Sequence, residues 1–118
     1  MIGAVGGCPP RDVDLRVAME SYAPAERIRA IKEVAARLER QQVPGLVDRL
    51  DDEDVAVRIA AIVALEQMTG RRFGYDAWGP PESRIESVNA WRSLLAVQAA
   101  QGKRNGGTVN GGAPAKQP

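Results

Sequence analysis

Two stretches of this chain line up at an offset of 31 residues. Arg27 falls on Arg58, Leu15 on Leu46, Met19 on Leu50, Ala30 on Ala61, Ile31 on Ile62 and Val34 on Leu65. A repeat of this period constrains the fold strongly. Each unit is too small to bury its own apolar face, so neighbouring units must stack to form a shared core.

The units are helical by periodicity. Leu15, Ala18, Met19 and Tyr22 recur at i, i+3, i+4 and i+7, with Asp12 or Asp14 placed to cap the start. Pro24 then opens a second helix, at a position where the missing N–H has no intrahelical partner to lose. Its apolar face is Ile28, Ile31, Val34, Ala35 and Leu38, and Glu33 and Arg37 are spaced for an i, i+4 ion pair. Pro44 starts a third helix with the stripe Val43, Leu46, Val47 and Leu50. The acidic run at residues 51–54 forms a turn, and Asp54 is placed as the N-cap of a fourth helix that Gly70 ends. That fourth helix is apolar on nearly every side, which predicts a central position with elements packed on both flanks. Residues 71–80 form an aromatic loop. Pro80-Pro81 leads into a last helix, with Ser83 and Glu86 at capping-box spacing and a stripe of Ile85, Val88, Trp91, Leu94 and Leu95 that fades near Gln101. Aromatics are only 4% of the chain, so the core between these helices must be aliphatic.

Residues 43–70 resemble a HEAT repeat of the short type called PBS-lyase HEAT-like. The resemblance rests on Pro44, Leu46 and Leu50, on the acidic turn Asp51 to Asp54, and on Val57, Arg58, Ala60, Ala61, Ala64 and Leu65. Residues 12–42 match less fully, with Val13 in place of the Pro and no Asp cluster. The sequence TGRRFGYD followed by a helix containing AWRSLL is similar to the tail of small bacterial HEAT-repeat proteins. The resemblance implies an all-α fold, a short α-solenoid of two HEAT-like helical hairpins closed by a C-terminal capping helix. It also implies a role as a scaffold that binds other proteins. Because such repeats took their name from bilin-attaching lyases, an enzyme-accessory or lyase-like role is the alternative it carries.

Composition argues against chemistry. The chain has no His, which removes the commonest general base and the commonest transition-metal ligand. Its single cysteine, Cys8, excludes an intrachain disulfide and a Cys-based zinc site. The acidic turn lacks the Gly and Glu spacing of a calcium loop and reads as a helix cap. No catalytic residue, cofactor or metal is expected. The net charge of +1 demands no acidic polymer. Arg71 and Arg72 with Lys103 and Arg104 form too short and too divided a basic patch to favour nucleic acid, leaving weak binding as a minor alternative.

The expected organisation is a flexible segment at 1–11, a helical domain at 12–101 and a disordered Gly/Pro-rich tail at 102–118. Cys8 after Ala4-Val5-Gly6-Gly7 resembles a bacterial lipobox. If Cys8 is lipidated, the protein is anchored at the cell envelope and its true start lies upstream of Met1; otherwise it is cytoplasmic. Arg27, Arg58 and Asp54 are expected at structural repeat positions, the arginines bonding turn carbonyls or a neighbouring acidic turn. Phe73, Tyr75, Trp78 and Trp91 are expected to seal the last repeat. Tyr75 and Trp78, with Arg71 and Arg72, are the candidates for contact with a partner protein, Trp78 being the most exposed of the aromatics.

Overall fold

A computed structural model of the chain describes residues 14–111, with side chains for 14–102. The residues 1–13, which include Cys8, and 112–118 lie outside that description. Among the described residues the protein is all-helical. The elements are α1 (Leu15–Ala18), α2 (Pro24–Arg37), a 3-10 turn (Arg40–Gln42), α3 (Val43–Arg49), α4 (Val55–Thr69) and α5 (Pro81–Gly111).

The helix ends follow local chemistry. Asp14 caps α1 by accepting from the Arg16 and Val17 amides, and Asp54 caps α4 by accepting from Ala56 (2.8 Å) and Val57 (3.3 Å). Pro24 is the first residue of α2, and Gly70 closes α4 at φ 78°. Leu38 ends α2 in the left-handed region at φ 53°, a conformation that costs a residue with a Cβ about 1 kcal/mol.

The packing runs in order. Helix α1 lies on α2, α2 on α4, α4 on α3, and α3 on α5. Eight of the side chains matched at the 31-residue offset are covered almost completely: Met19, Ile31, Val34, Leu46, Leu50, Ala61, Ile62 and Leu65. Trp91 is fully buried and brings α5 onto this core.

Several expectations need correction, among them Leu38, expected on the apolar face of α2 but 55% exposed at its end. Helix α1 stops at Ala18, so Tyr22 leaves the stripe and stands 99% exposed. The Ser21 hydroxyl accepts from the Ala23 amide and donates to Glu26, and this local turn outcompetes the helix. Helix α5 begins at Pro81, whose fixed φ suits the first position, so Ser83 sits inside the first turn, where its hydroxyl donates to the Pro80 carbonyl. No Ser83 N-cap forms. The inward face of α5 starts with Arg84 and Ser87, and Ile85 is exposed. Arg84 donates to the Gly79 carbonyl (2.7 Å) and Ser87 to that of Phe73 (3.0 Å), so loop carbonyls needing donors take the inner positions. Finally, α5 continues to Gly111, ten residues past Gln101. Its Gly and Asn content gives no propensity reason for this. Extending an existing helix adds one bond per residue and avoids the nucleation cost.

Helix α4 departs from the fully covered position its sequence predicts. Helices α2 and α3 and the 71–80 loop cover most of it. Val63 is nevertheless 44% exposed, Ala56 is exposed, and Ile59 and Ala60 are half-buried. One apolar flank is open.

Candidate functional site: two arginine joints, an aromatic seal and an open groove

The repeat arginines occupy equivalent joints. Arg27 Nη1 donates to the carbonyls of Ser21 (2.7 Å) and Tyr22 (3.2 Å), and Arg58 Nη1 donates to those of Asp52 (2.7 Å) and Glu53 (3.3 Å). In each case the acceptors lie six and five residues back. Both side chains are buried, so these carbonyl bonds compensate for desolvating a guanidinium.

Each arginine then reaches forward to a different group. Arg27 meets the Asp52 carboxylate through Nη2 (3.1 Å) and Nε (3.0 Å), while Arg58 Nε donates to the Ala77 carbonyl (3.0 Å). Asp52 is the hub of the first joint. It also accepts from Arg49 (3.0 Å) and from the Asp54 amide (2.9 Å), and its side chain is 2% exposed. The repeat anticipates an arginine on a neighbouring acidic turn, but the sequence does not single out Asp52 among residues 51–54 as the acid that also gathers Arg49 and the Asp54 amide. Asp52 and Asp54 are thus engaged in structural bonds, and no group of three or more metal-ligating side chains occurs among the described residues.

The loop at 71–80 is pinned on three sides. Phe73 and Gly74 both have positive φ (54° and 68°), the Tyr75 amide closes the turn on the Arg72 carbonyl, and Phe73 packs edge-on against Trp91 at 4.9 Å. Tyr75 is 3% exposed and its hydroxyl donates to the Leu50 carbonyl. Burial pushes its phenol above the ordinary value, against the opposing pull of Arg58 and Arg84. Tyr75 belongs to the seal and is removed from the candidate contact surface. Arg72 is drawn inward as well, donating to Glu66 (2.8 Å) and the Tyr75 carbonyl (3.3 Å). Trp78 is 73% exposed on the same loop, its amide held by the Asp76 carboxylate. Arg71 is exposed, with its guanidinium 5.9 Å from the centre of the Phe73 ring. Arg71 and Trp78 are the members of the expected contact set that the surface offers. Lys103 and Arg104 fall where side chains are not described.

The open flank of α4 faces α2 across a groove of about 600 Å³. Its walls include Ile28 and Ala35 from α2 and Ala56, Ile59, Ala60 and Val63 from α4, with Lys32 and Gln67 as polar members. An exposed apolar surface therefore lies along α2 and α4.

No protein-family model matches the chain, and no curated protein and no solved structure matches it.

Proposed function

We propose that this chain is a non-enzymatic protein-binding module, a short α-solenoid of the HEAT-like type whose docking face is the groove between α2 and α4. One observation carries the reading: α4 is apolar on nearly every side, yet one apolar flank has no covering element. Such a flank gains from burial at roughly 25 cal/mol per Å². Small side chains at Ala35, Ala56 and Ala60 leave room for a third helix to lie close, so the partner element is an amphipathic helix laid along the groove. Two further features support the same reading. The order of packing, with α2 on α4 and α5 added through α3, suits two stacked hairpins with a closing helix. The buried charges at Arg27, Asp52 and Arg58 are all engaged in joints, which suits a scaffold. Trp78, exposed on a pinned loop, is a second anchor outside the groove.

A photo-crosslinking residue at Val63 tests this in the native host, with a control at the exposed Arg29. The expected result is a discrete protein adduct at Val63 that is absent at Arg29 and is lost when Ala56→Glu places a charge in the groove. The helix content measured by circular dichroism should not change. Adducts that ignore Ala56→Glu would overturn the assignment.

A further inference from the structure

A second cleft, of about 630 Å³, lies where α3, the end of α4 and α5 meet, away from the α2/α4 groove. Its size falls within the range of small-molecule sites. Val43, Met68, Leu94 and Leu95 give it apolar walls, and the fully buried Trp91 lies at its base. The rim differs in kind. Arg40 and Arg71 are both exposed there, and no acid among the described residues pairs with either. Six of the other nine described arginines have an acid within 3.6 Å, and Arg58 and Arg84 donate to backbone carbonyls instead, so two exposed guanidiniums with no acid at one opening stand out. Arg71 stands near the Phe73 ring, which restrains its position and leaves its charge unneutralised. The remaining polar groups are largely engaged: Gln41 donates to Glu39, and the Thr69 hydroxyl donates to the Leu65 carbonyl and accepts from Arg71 N. Gln98 is a further polar side chain of the lining, and the buried Nε1 of Trp91 has no hydrogen-bond partner.

We propose that this cleft binds a small amphipathic monocarboxylate, its apolar body against the Trp91 base and its carboxylate between Arg40 and Arg71. Two guanidiniums at the mouth of an apolar cleft select for a ligand with one anionic end, because an arginine fork matches a carboxylate and the walls offer nothing to a second charge. A neutral ligand of the same length forgoes the arginine contacts. A cationic one is repelled. The site is independent of the groove, so either can fail alone.

The protein carries its own reporter. It has two tryptophans, and Trp78→Phe leaves Trp91 at the cleft base as the only indole. Octanoate titrated into Trp78→Phe protein is expected to shift Trp91 emission saturably. 1-Octanol should bind at least tenfold more weakly, and octylammonium should not bind. Arg40→Gln with Arg71→Gln is expected to weaken octanoate at least tenfold while leaving 1-octanol unchanged. Both positions are exposed, so the fold tolerates these substitutions, and the melting temperature checks that it does. Equal binding of octanoate and 1-octanol, or an octanoate affinity indifferent to both substitutions, overturns the proposal. An absence of saturation up to the solubility limit does so too.

Discussion

The pairs α1–α2 and α3–α4 place an arginine at the same point and complete its bonding differently. In both, one guanidinium nitrogen holds the two carbonyls five and six residues back, which fixes the turn before the longer helix. Beyond that, Arg27 is held by a buried carboxylate from the next turn and Arg58 by a loop carbonyl. The first joint is an ion pair linking one repeat unit to the next. The second is a neutral contact to a backbone carbonyl of the sealing loop. A repeat position conserves the half of an interaction that is local and improvises the half that depends on its neighbour.

The largest effect should come from cutting the charged joint. Asp52→Ala leaves Arg27 buried with no counter-charge and should cost about 3–5 kcal/mol in chemical denaturation. The sharper test is a double-mutant cycle. Adding Arg27→Met should recover much of that loss, because most of it is the unpaired guanidinium. Adding Arg58→Met should show coupling under about 0.5 kcal/mol, since Arg58 contacts only the backbone of Asp52. Equal coupling for the two arginines would erase the distinction between the joints.

The core offers a second comparison between Val34 and Leu65, which match at the repeat offset and are both 0% exposed. Leu65→Ala should cost about 2–5 kcal/mol. Val34→Ala removes two methyl groups and should cost about 1.6 kcal/mol plus a cavity term. Thermal melts of the two variants check this. A smaller loss for Leu65→Ala would mean that α2, not α4, is the centre of the core.

These residues also show what the sequence could convey. Asp54, Pro24 and Gly70 were legible because a cap or a helix end is decided within four residues. The helical class and the repeat were legible because periodicity survives without tertiary detail. Tyr22 and Ile85 were misplaced for a physical reason. Periodicity assigns a face but does not tell where a turn takes over, as at Ser21, or when a loop carbonyl claims an inner position, as Ser87 satisfies for Phe73. The Asp52 hub and the open flank of α4 depend on which elements meet, information carried by no local window. Trp78 was legible as the exposed aromatic, but the cleft beneath Arg40 and Arg71 joins three elements and had no signal in sequence.

The smallest effect lies in the seal, where Tyr75 does for the second joint part of what Asp52 does for the first. Its hydroxyl satisfies the Leu50 carbonyl at the end of α3. Tyr75→Phe removes that donor and should cost about 1 kcal/mol near neutral pH. The pH dependence separates this role from simple packing. Burial raises the Tyr75 phenol above the ordinary value near 10, so the folded state favours the neutral form. Below that value the contribution of Tyr75 is fully present. As pH rises past it, the unfolded chain loses the proton first, and stability falls until the raised folded value is reached. Phenylalanine cannot ionise, so denaturant midpoints taken from pH 8 to 11 should show the gap between the two proteins narrowing. A constant gap would mean that the phenol is as accessible to hydroxide folded as unfolded, and the loop would then be a loose cover over the last helix pair instead of a joint like the first.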